Sequence, residues 1–182
     1  MRDTRHDIIN FWFVETEPTL WFQENEQFDA IIRENFLATY TMAKDGLCDS
    51  WNNDVDGCLA LCLLLNQFPR NMFRGAAQAY ATDSKALIVS KHALAKGFDH
   101  LLTPERRRFL YLPFVHSEKL NDQRKSVELF GSMKKEDPLS FEHAQRSLSI
   151  IEKFSRFPRR NIVLGRDSTP EEQEYLAAPT SR

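Results

Sequence analysis

The chain has 182 residues, of which 42% are hydrophobic and 27% charged, enough apolar material for a buried core and too much for a disordered chain. With a formal net charge of −2 it has no global basic field to hold nucleic acid. Phenylalanine is used 14 times against 6 glycines, which favours packed helices over a turn-rich β protein.

In chain order, Ile8, Ile9, Trp12 and Phe13 recur at helical spacing and predict a short opening helix, broken by Glu15-Thr16-Glu17-Pro18. Phe28, Ile31, Ile32 and Phe36 mark a longer amphipathic helix reaching about Lys44, with Asp45-Gly46 as its stop. Asp49, Ser50 or Asp54 caps the next one. Its stretch from Cys58 to Leu65 is apolar all round and predicts a central, enclosed helix. Beyond Gly75 a helical run passes Asp83, Leu87 and Leu94 to Gly97. Thr103-Pro104-Glu105 opens a helix carrying Phe109, Leu110, Leu112 and Phe114, interrupted at Pro113. Ser117 is expected to cap a helix with Leu120, Val127 and Phe130 inward. Lys134 to Pro138 reads as a loop, and Phe141, Ala144, Leu148, Ile151 and Phe154 give the following helix. Thr169-Pro170-Glu171-Glu172 is a capping box that starts the last one. No sustained period-two pattern occurs, so one all-α domain of about eight helices over residues 1–182 is expected.

Two stretches echo each other: Phe68-Pro69-Arg70-Asn71 followed by Arg74-Gly75, and Phe157-Pro158-Arg159-Arg160-Asn161 followed by Gly165-Arg166. Proline lacks an N–H and biases the preceding residue away from the α region, so each Phe-Pro is expected to end a helix. Arg70 and Arg160 could then cap the free carbonyls, and Asn71 and Asn161 could take left-handed turns. Capping logic favours two arginine-tied chain reversals. The same guanidinium forks also match carboxylates and phosphates, so an anion site is the functional alternative.

Three cysteines, Cys48, Cys58 and Cys62, cannot form a closed disulfide set, which favours a reducing compartment. The lead-in Met1-Arg2-Asp3-Thr4-Arg5-His6-Asp7 has no signal-peptide core, and the apolar run Cys58 to Leu65 is too short for a bilayer. A cytoplasmic protein without membrane or nucleic-acid partners is the expectation. Cys58 and Cys62 read as buried inert thiols, His92, His100 and His143 as surface or cap residues, and Arg106-Arg107-Arg108 as a solvated face. Trp12, Trp21 and Trp51 read as core packing. No phosphate loop, nucleophile elbow or zinc-spaced set is present, and no metal or cofactor is expected.

Two constellations carry candidate chemistry. His116 with Glu118 and Asp122, four apart on an expected helix face, and neighbouring Gln123 could hold a hard divalent metal or perform acid–base work. The plainer reading is that the acids favour a helix N-terminus. Arg70, Arg74, Arg156, Arg160 and Arg166, if the two corners meet near Glu118 and Asp122, give either an internal salt-bridge network or an anion-binding cleft.

The two corners, together with Pro113-Phe114-Val115-His116-Ser117-Glu118 and Gly165-Arg166-Asp167-Ser168-Thr169-Pro170-Glu171-Glu172, resemble the DUF924 family, from Phe11-Trp12-Phe13 to Leu176. The resemblance implies a tetratricopeptide-repeat-like superhelical stack of antiparallel helices with a concave face for a peptide or small ligand, and with the arginines of the corners the leading expectation is a binding module for a peptide or small anionic ligand. It implies no activity. A hydrolase-type enzyme using His116, Glu118 and Asp122 is the alternative, and oligomeric state stays open. The chain departs from the family pattern with Asn66 where aspartate is common and Ser155 where glycine is common. Arg159 and Ser147 stand where histidines are expected, so a chemical role resting on those histidines would be lost here.

Overall fold

A computed structural model of the chain describes residues 4–178; the lead-in Met1 to Asp3 lies outside them. Every regular element among the described residues is helical, as the patterning predicts. The α segments are α1 (Arg5–Asn10), α2 (Glu26–Lys44), α3 (Val55–Cys62), α4 (Phe68–Met72), α5 (Asp83–Ala95), α6 (Pro104–Val115), α7 (Leu120–Gly131), α8 (Pro138–Phe154) and α9 (Pro170–Ala177). A π turn, Leu63–Gln67, joins α3 to α4 without leaving the helical region, so those two form one rod. None of these helices is long and apolar enough to cross a membrane.

Local chemistry sets the boundaries. Asp54 accepts the Gly57 N–H at 2.9 Å and caps α3, Asn25 caps α2, and Gly46 takes the left-handed stop after α2 at φ 87°. The Thr169 hydroxyl and Glu172 carboxylate close the expected box at the start of α9. A second box, Thr4 with Asp7, opens α1.

The rod α3–α4 is the centre. Cys58 through Phe68 are all buried, enclosed by α1, α2, α5 and α6, while α7 and α8 pack against α6 and each other. On one side an aromatic cluster closes over it: Trp12 stacks on Trp21 at 6.0 Å, and Phe109 meets both edge-on. Trp12 and Trp21 are core residues as expected, and Trp51 packs against the core partly buried. The cysteines are free and buried, and burial pushes the thiols of Cys58 and Cys62 up to about 11 and about 12, which leaves them inert at neutral pH.

Two of the prolines expected to end or interrupt a helix, Pro69 and Pro113, fail to do so. Phe68 keeps α geometry at φ −60°, ψ −37°, and Pro69 sits in the first turn of α4. The preceding π turn, with Phe68 N–H bonded five residues back to the Leu63 carbonyl, provides the extra residue that relieves the helix at the proline. Pro69 cannot donate to the Leu65 carbonyl, and the buried Thr82 hydroxyl does so instead at 2.6 Å. Pro113 likewise lies inside α6, which runs on to Val115, while the Ser90 hydroxyl donates to the neighbouring Leu110 carbonyl at 2.7 Å. Only the second corner follows the expectation at its proline: Phe157 is extended before Pro158, although α8 has already ended at Phe154.

Two backbone positions make stability predictions. A Cβ on Gly57 would lie 2.0 Å from the Trp51 carbonyl oxygen, so Gly57→Ala should destabilise by on the order of 3 kcal/mol in denaturant melts. Ser155 holds φ 58°, the left-handed conformation that closes α8, so Ser155→Gly should raise stability by about 1 kcal/mol. An unchanged or lowered melting temperature for Ser155→Gly would refute that reading.

Candidate functional site

The first corner is held by side chains rather than by a reversal of its backbone. Asn71 lies within α4 and Asn161 is also right-handed, so neither takes the left-handed turn expected of it; Gly75 and Gly165 do. The asparagine side chains are used instead, because both are buried and amide groups there need partners. Asn71 donates to Asp29 at 2.8 Å and accepts from Gln67 at 3.1 Å, and Arg74 clamps the same Asp29 through two bonds of 2.7 and 3.0 Å. Arg70 caps the Asn66 carbonyl at 2.5 Å and forks onto Asp83 with two bonds of 2.8 Å.

At the second corner Arg156 forks onto buried Glu172 with two bonds of 2.7 Å, Asn161 reaches the same carboxylate, and α9 is thereby fastened to the end of α8. Arg166 forks onto Glu118 at 2.8 and 3.0 Å, while the Phe157 N–H donates to Glu118 at 2.7 Å. Burial works to raise the Glu118 carboxyl, but these donors outweigh it and hold the group below its ordinary range.

Ser117 does not cap α7. Its N–H still bonds the Phe114 carbonyl at the end of α6, and the chain needs two more residues to turn before α7 begins at Leu120. Glu118 is therefore outside the helix and shares no face with Asp122, which accepts from Ser117 at 2.8 Å and pairs with Lys91 at 2.6 Å. Gln123 is fully buried and caps the end of α6, donating at 2.6 Å to the carbonyls of Val115 and Ser117. Among the described residues no group of His, Cys, Asp and Glu side chains is arranged to hold a metal ion.

The corners do meet, through Asp83. It takes the Arg70 fork on one side and has Arg160 at 3.7 Å on the other, and both guanidinium carbons lie over the Tyr80 ring at 5.5 and 4.7 Å. Asn66, in the π turn, links this cluster to His116: its amide donates to Asp83 at 2.8 Å and its oxygen lies 2.6 Å from His116 Nδ1. Burial first, then the charges of Arg70 and Arg160 and a smaller effect of His143, keep His116 well below its ordinary pKa of 6.5, so the ring is neutral at pH 7. Asn66 Oδ1 accepts only from a protonated nitrogen, so the neutral ring carries its proton on Nδ1.

Two cavities flank His116. One, of about 440 Å³, is walled by Arg70, Asn71, Arg74 and His116, all read from sequence as candidates, and also by Arg108, His143 and an apolar set including Trp21, Phe22 and Leu139. The other, of about 500 Å³, has His116, Glu118 and Arg160 on its wall. Asp122, Gln123, Arg156, Asn161 and Arg166 line neither; each is engaged in the contacts above.

The residues missed from sequence had signals that pointed elsewhere. Arg108 is not on a solvated face: its Nε donates to buried Asp137 at 2.6 Å, and Arg107 is tied to the carbonyls of Asp99 and Leu102. His143, in α8, is exposed as expected and also lines this cavity, where desolvation first and then the charge of Arg146 lower its pKa. His92 does act as a cap, with Nε2 3.1 Å from the Asn52 carbonyl oxygen.

A family model described as "Bacterial protein of unknown function (DUF924)" matches residues 8–180. The chain belongs to the DUF924 family. A solved structure, described as a protein of unknown function, ATU0120 from Agrobacterium tumefaciens, is 38% identical over 95% of this chain and 96% of that one, with a TM-score of 0.90. No curated protein matches.

The neutral His116 of this DUF924 chain gives a pH prediction. With its folded pKa below the unfolded value of 6.5, the unfolded chain binds the extra proton first, so stability falls as pH drops below 6.5. The slope is at most about 1.4 kcal/mol per pH unit from this residue. Glu118 and Glu172 act in a separate, lower window, because their depressed pKa values withdraw stability only as pH falls below 4.5. Denaturant midpoints between about pH 7 and about pH 5, read beside the His116 ring resonances, check it. A flat profile with a protonating His116 would contradict the assignment.

Proposed function

We propose that the chain is a non-catalytic binding module, a tetratricopeptide-repeat-like array whose cavity beside α4 accepts a small anionic ligand or an acidic peptide end. The observation that carries this reading is the wall of the cavity of about 440 Å³. Arg70, Arg74 and Arg108 stand on it with a single carboxylate, Asp137, opposite Trp21, Phe22, Leu112, Phe130 and Leu139. Convergent polar groups in a largely apolar concavity mark ligand sites. Arg108 supports it further: among the described residues it donates only through Nε, which leaves its two Nη nitrogens for a ligand oxygen. Phe22 and Leu139, 59% and 74% exposed, provide apolar surface at this site for a ligand body. A carboxylate with an aromatic or aliphatic body fits both halves of the wall.

A hydrolase-type enzyme remains the second reading, because His116 presents a neutral imidazole to the same cavity. Glu118 and Asp122 do not assist it, being held by Arg166 and by Lys91. A hydrolase screen of wild type against His116→Gln separates the readings: turnover lost in the variant supports the enzyme.

For the binding reading, thermal shift and calorimetry with benzoate, 3-phenylpropionate, hexanoate and an acetylated Phe-Asp dipeptide are the test. Arg108→Gln should weaken the best of these about tenfold, close to 1.4 kcal/mol, with folding checked by thermal melts. Binding by none of the probes, or equal binding by the variant, would sink the proposal.

A further inference from the structure

Arg160 differs from the other arginines of the two corners. Arg70, Arg74, Arg156 and Arg166 each close a two-pronged pair on a carboxylate. Among the described residues the Arg160 side chain makes no hydrogen bond. Its Nη1 stands 3.7 Å from Asp83 Oδ2, and both Asp83 oxygens already accept Arg70 at 2.8 Å, one of them Asn66 as well. Yet the side chain is only 13% exposed.

The rings of Tyr80 and Phe157 lie 4.7 and 4.6 Å from its guanidinium carbon. Ring faces attract the cation but offer nothing to its in-plane N–H groups. A largely buried cation whose donors find no protein acceptor must be completed by water or by a bound acceptor, and the Arg160 nitrogens keep enough access for either. Burial, and then the charge of Arg70, push Arg160 down to about 10, the direction expected of a cation short of counter-charge.

Arg160 lies on the wall of the cavity of about 500 Å³, beside Lys119, which is exposed and has no ion pair among the described residues. On that wall Lys91, Lys119 and Arg160 outnumber Asp83 and Glu118, and Asp83, Glu118 and Lys91 are each already paired, with Arg70, Arg166 and Asp122. The excess of positive charge suits a doubly charged oxyanion better than a carboxylate, and a planar guanidinium fork matches its oxygens.

We infer that this cavity is a second binding site, for a phosphate-type oxyanion held by the in-plane donors of Arg160 with Lys119 as the outer cation. The site is on the other side of His116 from the proposed ligand cavity and does not depend on it.

Inorganic phosphate, phenyl phosphate and benzoate, titrated against chloride of equal ionic strength, test it. In the wild type both phosphates should shift the Arg160 Nε–H resonance saturably and raise the melting temperature. Arg160→Gln should weaken phosphate binding at least about tenfold, and Arg108→Gln should leave it unchanged. Tighter binding of phenyl phosphate identifies an ester as the natural occupant, and tighter binding of inorganic phosphate identifies the free anion. Benzoate shifting the Arg160 Nε–H resonance at lower concentration than either phosphate, a chloride response equal to that of phosphate, or undiminished phosphate binding in Arg160→Gln overturns the inference. Should Arg160→Gln fail to fold, the wild-type resonance decides alone. Loss of phosphate binding in Arg108→Gln but not in Arg160→Gln would move the anion to the first cavity.

Discussion

The carboxylate of Asp83 joins parts of the chain that are distant in sequence. It accepts the fork of Arg70 from the first corner, the amide of Asn66 from the π turn, and the weaker approach of Arg160 from the second corner. One negative charge thus sits against two guanidinium groups in a place largely removed from water. An ion of either sign left alone there would be costly, so the cluster persists only as a set. Its position at the first residue of α5 also places the carboxylate where the helix dipole favours it.

The π turn gives this cluster its geometry. Because Phe68 bonds five residues back, the rod gains a residue in mid-course and Pro69 is accommodated without a break. Asn66 and Gln67 belong to that wide turn, and both point polar side chains into tertiary contacts: Asn66 to Asp83 and His116, Gln67 to Asn71 and the Trp21 carbonyl. An otherwise apolar core helix carries two buried amides there because every one of those contacts is answered. An aspartate at position 66 would bring a second carboxylate within hydrogen-bond distance of Asp83, and one of the two would have to keep a proton. Asparagine supplies a neutral donor to Asp83 and a neutral acceptor to His116.

His116 stands between the two cavities, and the electrostatics on its two sides differ. Towards the first, the arginines are paired by Asp83, Asp29 and Asp137, so a ligand there would meet satisfied cations with outer donors left over. Towards the second, Arg160 lacks a hydrogen-bonded counter-ion among the described residues. The imidazole stays neutral because it is buried beside both guanidiniums.

The helices themselves were legible in the sequence wherever a local rule decides them. Asp54, Thr103 and the Thr169 to Glu172 box act on backbone N–H groups within three residues, and the apolar stretch from Cys58 to Leu65 has no outward face to misread. Family membership was legible too, because it rests on a linear order of motifs. The echoed corners were legible as strings but not as structures: local bias at Phe-Pro predicts the same stop twice, and the π turn with Thr82 removes it once. Arg108 looked like a surface residue because it follows two other arginines, and only the packing of α6, α7 and α8 turns it towards a hollow that the exposed His143 also lines. Caps and periodicity act over a few residues and are written in the chain. Which guanidinium forks onto which carboxylate at the two corners depends on charges brought together from 13 to 48 positions apart, and that pairing exists only once the helices have packed.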